Sequence, residues 1–379
     1  MAMTKVKELV KQVRGVSYKP GDLHNELNEN SVILLRANNI DDGQINFDDV
    51  VYVDKSKVSF EQYLKIGDVL ICASSGSKNL VGKAASVRMD KECTFGAFCK
   101  VVRPKEGFED YLGVYFQSPI YRRKISDMAL GANINNIRNE HIDSLDIPVY
   151  SEMEQEDIVK KIHLLQEIIS NRRAELAKLD DLIKARFIEL FNGKKYNYVK
   201  VSDVCDFITK GTTPKSDEIF EEYEAGRIPY LKVYNLSLTG DLFFDDAPQY
   251  INASTHEEKL ARSKVYPNDV LMNIVGPPLG KFAFVTNEFN EWNINQAIAI
   301  FRAREKVIPR FLMAALMQPD VLQPFLQQAV GIRQLNLSLE QCRNLEIPLP
   351  PLELQQQFSV FVAEVDKSKV GKQRDSCVS

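Results

Sequence analysis

Apolar positions in this chain follow two different rhythms. Within the first 150 residues, short runs such as "SVILLRANNI", "VVYV" and "DVLICA" are punctuated by the turn signals "DDG" and "SSGSKN", which predicts short β-strands joined by tight loops. The order returns between about Tyr196 and Pro350 as "IPYLKVYNL", "DVLMNIV" and "NQAIAIFRA". Between the two regions, Glu152 to Phe191 contains neither Pro nor Gly. Steps of four and three through Ile158, Ile162, Leu165, Ile169, Arg172, Leu176, Leu179, Ile183, Arg186 and Leu190 meet Ile or Leu at eight of ten positions. A stripe recurring every 3.5 residues predicts a long helix packed along another helix. At about 1.5 Å per residue, it makes a rod of roughly 60 Å. The last segment begins alike, with Leu354, Phe358, Phe361, Val362 and Val365, then turns polar in "DKSKVGKQRDSCVS". That predicts a second helix at most half as long as the first.

The chain is built twice. Gly131 aligns with Gly331, Asn136 with Asn336, Leu145 with Leu345, Ile147 with Ile347, Pro148 with Pro348 and Gln155 with Gln355, all at one offset. Further matches, Asp68-Val69-Leu70 with Asp269-Val270-Leu271 and Gly82-Lys83 with Gly280-Lys281, drift by a few positions. Between these anchors the halves differ almost everywhere. A shared frame with divergent filling predicts two sites of one kind and different specificity.

Length and composition suit a soluble chain of two globular domains: 379 residues, 44% hydrophobic and 26% charged. No apolar run is long enough to cross a bilayer and the N-terminus has no apolar core. The six cysteines include no C-x-x-C pair, which predicts reduced thiols in a cytoplasm. Net charge changes the picture more. At −4, from 48 Lys+Arg against 52 Asp+Glu, it runs against a free-standing phosphate binder, although a partner subunit could supply positive surface.

Catalytic constellations are missing from the sequence. "GPPLGK" at Gly276–Lys281 lacks phosphate-loop spacing, and its two prolines remove N–H donors; a hairpin turn explains it better. His24, His141, His163 and His256 have no ligand spacing, so no metal is expected. Acidic pairs such as Asp41-Asp42 and Asp245-Asp246 sit in loop contexts. These features predict a chain with no enzyme chemistry of its own.

Several loops instead carry side chains able to read base edges. In the first half these are Arg36, Asn38 and Asn39; Ser75, Ser77, Lys78 and Asn79; Lys83; and Asn133, Asn135, Asn136 and Arg138. In the second they are Lys232, Tyr234 and Asn235; Lys281; Asn293, Asn295 and Gln296; and Arg333, Gln334 and Asn336. Any one cluster could be a polar turn bonding to itself. The corresponding loops are polar in both halves with different letters, as two amide-rich readers would be.

These residues reach a known pattern. The stretches "GANINNIRNEHIDSLDIPV" then "EMEQEDIVKKI", and "GIRQLNLSLEQCRNLEIPLPPLELQQQF", resemble the specificity subunit of Type I restriction-modification systems, over nearly the whole chain. The resemblance implies two tandem α/β (α+β) target-recognition domains, residues 1–150 and 194–350. Long α-helical coiled-coil spacers would separate them, residues 151–193 and a truncated second helix and tail at 351–379. It implies a non-catalytic subunit in which each domain reads one half of a bipartite double-stranded DNA target. The spacers would set the gap and dock two modification (methyltransferase) subunits, with restriction subunits beyond. No cofactor is expected on this chain; S-adenosylmethionine and ATP are expected on the partners. The helix seam would comprise Ile158, Ile162, Leu165, Ile169, Leu176, Leu179, Ile183, Leu190, Phe358 and Val362. A short second helix would leave the stripe from Leu176 to Leu190 partly uncovered and open to self-association. Two other readings remain: a helical scaffold whose heads bind protein, and the recognition half of a split methyltransferase.

Overall fold

The computed structural model describes residues 2–77, 80–128, 135–331 and 335–377. Contacts divide the chain into two units, Met1–Ile168 and Ile169–Ser379, and each unit follows the same plan. In the first, Ala84–Ser86, Val69–Cys72, Cys99–Pro104 and Val10–Arg14 form an antiparallel sheet in that order. All four residues of Val69–Cys72 are fully buried, because alternate side chains point to opposite faces and both faces are covered. Val69 and Ile71 enter one apolar cluster with Leu112, Phe116 and Tyr121, from the helices Glu109–Gln117 and Pro119–Met128. Leu70 and Cys72 enter another, with Ile33, Leu35 and Phe95 of a second sheet. The continuous apolar run "VLIC" is the consequence of this double burial.

The second unit repeats the sheet with Cys205–Lys210, Ile298–Ala303, Val270–Asn273 and Phe282–Phe284. Val270 and Met272 face one cluster, Leu271 the other. Ser31–Leu35 pairs in parallel with Cys93–Phe95, and Arg227–Leu231 likewise with Trp292–Ile294. "GPPLGK" is the connection between the antiparallel strands Val270–Asn273 and Phe282–Phe284, as its composition predicts.

One ion pair recurs. Asp68 and Asp269 are almost fully buried at the start of each central strand. Arg103 grips both oxygens of Asp68 through Nε and Nη2 at 2.8 Å each. Arg302 grips Asp269 at 2.8 and 2.7 Å. Each carboxylate also accepts a turn N–H, from Lys65 or Tyr266. Forked, charge-assisted bonds of this kind offset the cost of removing the charges from water.

Each unit closes on itself before the chain leaves it. Asp146–Val149 pairs antiparallel with Ala2–Lys5, and Glu346–Pro348 with Tyr198–Lys200. Ile147 and Ile347 are wholly buried; the second ladder ends at Pro348, whereas the first runs one residue past Pro148 to Val149. A buried glutamine then secures the start of the helix. Gln355 donates to the Pro350 carbonyl at 2.8 Å and accepts from the Ile308 N–H at 2.9 Å; Gln155 donates to the Tyr150 carbonyl at 2.9 Å.

The predicted long helix spans Glu152–Phe191. Its start rests on the first unit through Ile158 and Val159, and Gln166 donates to Gln117 at 3.1 Å. Its end lies in the second unit, where Phe187, Leu190 and Phe191 are buried with Phe311, Phe358 and Val362. The helix Leu352–Cys377 runs antiparallel to that end: Phe358 meets Phe187, and Lys369 pairs with Asp180.

This second helix corrects two expectations. It has 26 residues against 40, more than half, because its polar tail continues the helix through ion pairs such as Lys369 with Asp180 and Arg310 with Asp366. Accordingly Leu176, Leu179 and Ile183 are half-buried rather than bare. By the same pairing Cys377 falls opposite about residue 172, at one shared rise per residue. The exposed stretch lies before that point: Leu164, Leu165, Ile168 and Ile169 are 56%, 49%, 44% and 51% exposed.

Two measurements test this packing. Arg302→Met strips Asp269 of its counter-ion in a dry site and should cost about 3 kcal/mol; a urea midpoint close to wild type would contradict the pair's role. Burial also raises the thiols, Cys93 to about 11 and Cys205 and Cys342 to about 12. At pH 8 each is then thiolate in about one part per thousand or less, and only thiolate alkylates readily. Iodoacetamide should therefore leave these three unlabelled in the native chain and modify them all in guanidinium.

Candidate nucleic-acid interface

In the second unit, Cys205–Lys210 ends at Gly211. A Cβ on Gly211 would run into the carbonyl oxygens of Ile294 and Asn295, so only glycine lets the strand end lie flat against the turn Asn295–Ala297. That turn is held by its own backbone. Asn295 N–H donates to Leu231, Ile298 N–H to Asn295 and Ile274 N–H to Ala297, at 3.0, 3.2 and 2.8 Å. Beside it opens a cleft of about 520 Å³ lined by Lys210, Gly211, Thr212, Thr213, Arg262, Val275, Asn295, Gln296, Ala297 and Asn336.

The cleft's chemistry is polar and cationic. Arg262 donates to the Thr212 hydroxyl at 3.0 Å. Among the described residues no carboxylate forms a salt bridge with Lys210 or Arg262, and both side chains are exposed. Gln296 and Asn336 are exposed and Asn295 half-buried. Two unneutralised cations beside three amides and two hydroxyls suit phosphate oxygens and base edges together.

The first unit builds the same frame from other residues. A Cβ on Gly15 would meet the Gly96 carbonyl. Val16 N–H donates to Phe95, Cys99 N–H to Gly96 and Ala73 N–H to Phe98, at 2.8, 2.8 and 2.9 Å. Exposed Arg14 and Ser17 flank this turn, and Asn136 pairs with Ser74 across a short ladder.

The sequence-selected residues divide into three groups. Asn295, Gln296 and Asn336 meet in the cleft. Asn39, Asn235 and Asn293 do not face outward, which corrects their reading as base contacts. Asn39 is 1% exposed, accepts from Arg36 N–H and donates to the Asn46 and Asp49 carbonyls. Asn235 accepts from Lys232 N–H and donates to Phe243. Asn293 is wholly buried, tied to Ser263, Leu260 and His256. Their amides replace backbone bonds that a short turn leaves unmade.

The third group lies elsewhere on the surface. Arg36 and Asn38 both bond Asp49, at 3.1 and 2.8 Å, and are partly spent on that carboxylate. Tyr234 is 46% exposed, and its hydroxyl donates to Ala247. Ser75 is half-buried and accepts from Ser77 N–H. Lys83, Lys232 and Lys281 are half-buried and Arg138 exposed. Lys78, Asn79, Asn133, Arg333 and Gln334 lie outside the described residues, as does the side chain of Asn135.

Sequence reasoning missed Lys210, Thr212, Thr213 and Arg262. "TKGTTP" at Thr209–Pro214 carried a legible signal, a polar loop after a strand, whereas Arg262 reaches the cleft only through the fold.

The neighbours His256 and Glu257 come within ligand distance of Glu291, which is distant in sequence. Asn293 donates to His256 Nδ1 at 3.0 Å, because its oxygen already accepts from Ile294 N–H and Ser263. The ring proton therefore sits on Nε2 and points at Glu291, 3.1 Å away, and burial holds the ring pKa below its ordinary value. Lys264 Nζ bonds Glu257 at 2.6 Å. A proton and an ammonium thus fill the places a cation would take, and the cluster is a structural network.

Known proteins agree with this geometry. The chain is 38% identical over 173 residues to the Type I restriction enzyme StySPI specificity subunit of Salmonella potsdam. It is 37% identical over 186 residues to the EcoKI specificity subunit of Escherichia coli K12. These matches cover 45% and 49% of this chain but only 37% and 40% of the relatives, less than half of either. The crystal structure of a Type I restriction-modification S subunit from M. genitalium superposes with a TM-score of 0.52 at 14% identity, covering 100% of this chain and 92% of that one. Residues 193–374 match the Type I restriction modification DNA specificity domain. With the duplicated α/β units and the helix between them, these findings make the chain similar to Type I restriction-modification specificity subunits, the DNA specificity domain itself being matched over residues 193–374.

Proposed function

We propose that the chain is the non-catalytic DNA-reading subunit of a Type I restriction-modification complex, with each unit reading one half of a split duplex target. The observation that carries this reading is the cleft of Lys210, Arg262, Asn295, Gln296 and Asn336, open to solvent and free of carboxylates. Its counterpart in the first unit has the same backbone and other side chains, as two readers of different half-sites require. The long helix sets the gap, and the exposed Leu164, Leu165, Ile168 and Ile169 mark where a modification subunit covers it. S-adenosylmethionine and ATP then belong to the modification and restriction subunits. The chain's net charge of −4 fits a reader that depends on its partners for much of its phosphate affinity. The assembly works in the cytoplasm, where its DNA is.

Selection from a pool of randomised duplexes, using the chain assembled with its modification subunits, should enrich one split motif. Lys210→Ala and Arg262→Ala should each weaken binding and lower the salt slope by about one counterion. Enrichment of no duplex, with protein partners captured by the two heads, would favour the scaffold reading instead.

The helix offers a second test. Four residues inserted after Asn171 lengthen it by about 6 Å, and the gap in the selected motif should grow by about two base pairs at roughly 3.4 Å each. An unchanged gap would rule out the helix as the ruler.

A further inference from the structure

The turn that edges the cleft differs in one respect between the units. In the second unit it reads Asn295-Gln296-Ala297, in the first Gly96-Ala97-Phe98. Backbone bonds fix the correspondence: Ala297 accepts from Ile274 N–H as Phe98 accepts from Ala73 N–H, at 2.8 and 2.9 Å. Ala297 lines the cleft, so Phe98 stands at the same place on the first frame. Its backbone is held further by a 3.0 Å bond from Ser74 N–H, yet its side chain is 68% exposed.

A phenylalanine in water forgoes the stabilisation that burial gives. Phe60, the other highly exposed phenylalanine of this unit, has the Lys65 ammonium over its ring; Phe98 has no ring or cation over it among the described residues. Scattered exposed apolar side chains are ordinary. A ring on a rigid turn, beside Arg14 and Ser74, at the position that lines the other unit's polar cleft, is placed for contact with something apolar in a polar ligand. Duplex DNA offers such a group in the major groove: the C5 methyl of thymine.

We propose that Phe98 reads a thymine methyl in the first unit's half-site. The second unit, with Ala297 there and the Asn295 and Gln296 amides beside it, reads hydrogen-bonding edges instead. This rests on the DNA-reading function proposed above.

The test uses the full chain assembled with its modification subunits and the split duplex selected from randomised DNA. Replacing each thymine of the motif by uracil, one at a time, removes single methyl groups. One such position in the first half-site should weaken wild-type binding about three- to fivefold, and Phe98→Ala should weaken it about tenfold. In Phe98→Ala the uracil effect should vanish, while the salt slope stays at the wild-type value because no phosphate contact is lost. Phe98→Leu should keep part of the methyl preference. Thermal melting of both variants should match wild type, the side chain being exposed. A selected motif with wild-type affinity in Phe98→Ala, or a uracil effect that persists in it, overturns the role of Phe98 and leaves DNA reading intact. Selection of no motif at all overturns both.

Discussion

A carboxylate held away from water sits at the start of each central strand, and an arginine from the neighbouring strand answers it. An unpaired charge in that position would be severely destabilising, so Asp68 with Arg103 and Asp269 with Arg302 must form together or not at all. Each pair joins the central strand to the one beside it and closes a turn through a backbone N–H. Both sheet faces are covered by apolar clusters, so this forked contact helps set the strand register at depth. The ends of those same strands carry the polar turns, so this constraint reaches the surface chemistry directly.

Beneath the polar loops lie buried amides. Asn39, Asn235 and Asn293 each replace missing backbone bonds, and Asn293 links the turn bearing Arg262 to the strand that runs into Asn295. The cleft's edge is thereby held to the sheet by hydrogen bonds rather than by apolar packing alone. Side chains on its outer rim can then change without disturbing the frame, which is what the two units display.

Much of this was legible in the residues. The 3.5-residue stripe, the recurring Ile-Pro junction and the run "DVLICA" each reflect a local rule that tertiary context does not override. Amide orientation was not legible: an asparagine that bonds the backbone and one that faces solvent look alike in a polar loop, so Asn39 and Asn293 turn out buried while Asn295 and Asn336 line the cleft. Arg262 carried no signal, since a three-residue turn brings it to Thr212 from fifty positions away. The second helix ran longer than its polar tail suggested, because pairing with Asp180 depends on a partner nearly two hundred residues distant.

In both units the first and last strands lie side by side, Ala2–Lys5 against Asp146–Val149 and Tyr198–Lys200 against Glu346–Pro348. A unit with adjacent ends is a cassette: it can be lifted out and another seated in its place without redirecting the chain on either side. Recombination between related genes at the repeated Ile-Pro borders would thus exchange a whole unit in a single event. The architecture favours large, whole-unit jumps in surface chemistry over gradual drift.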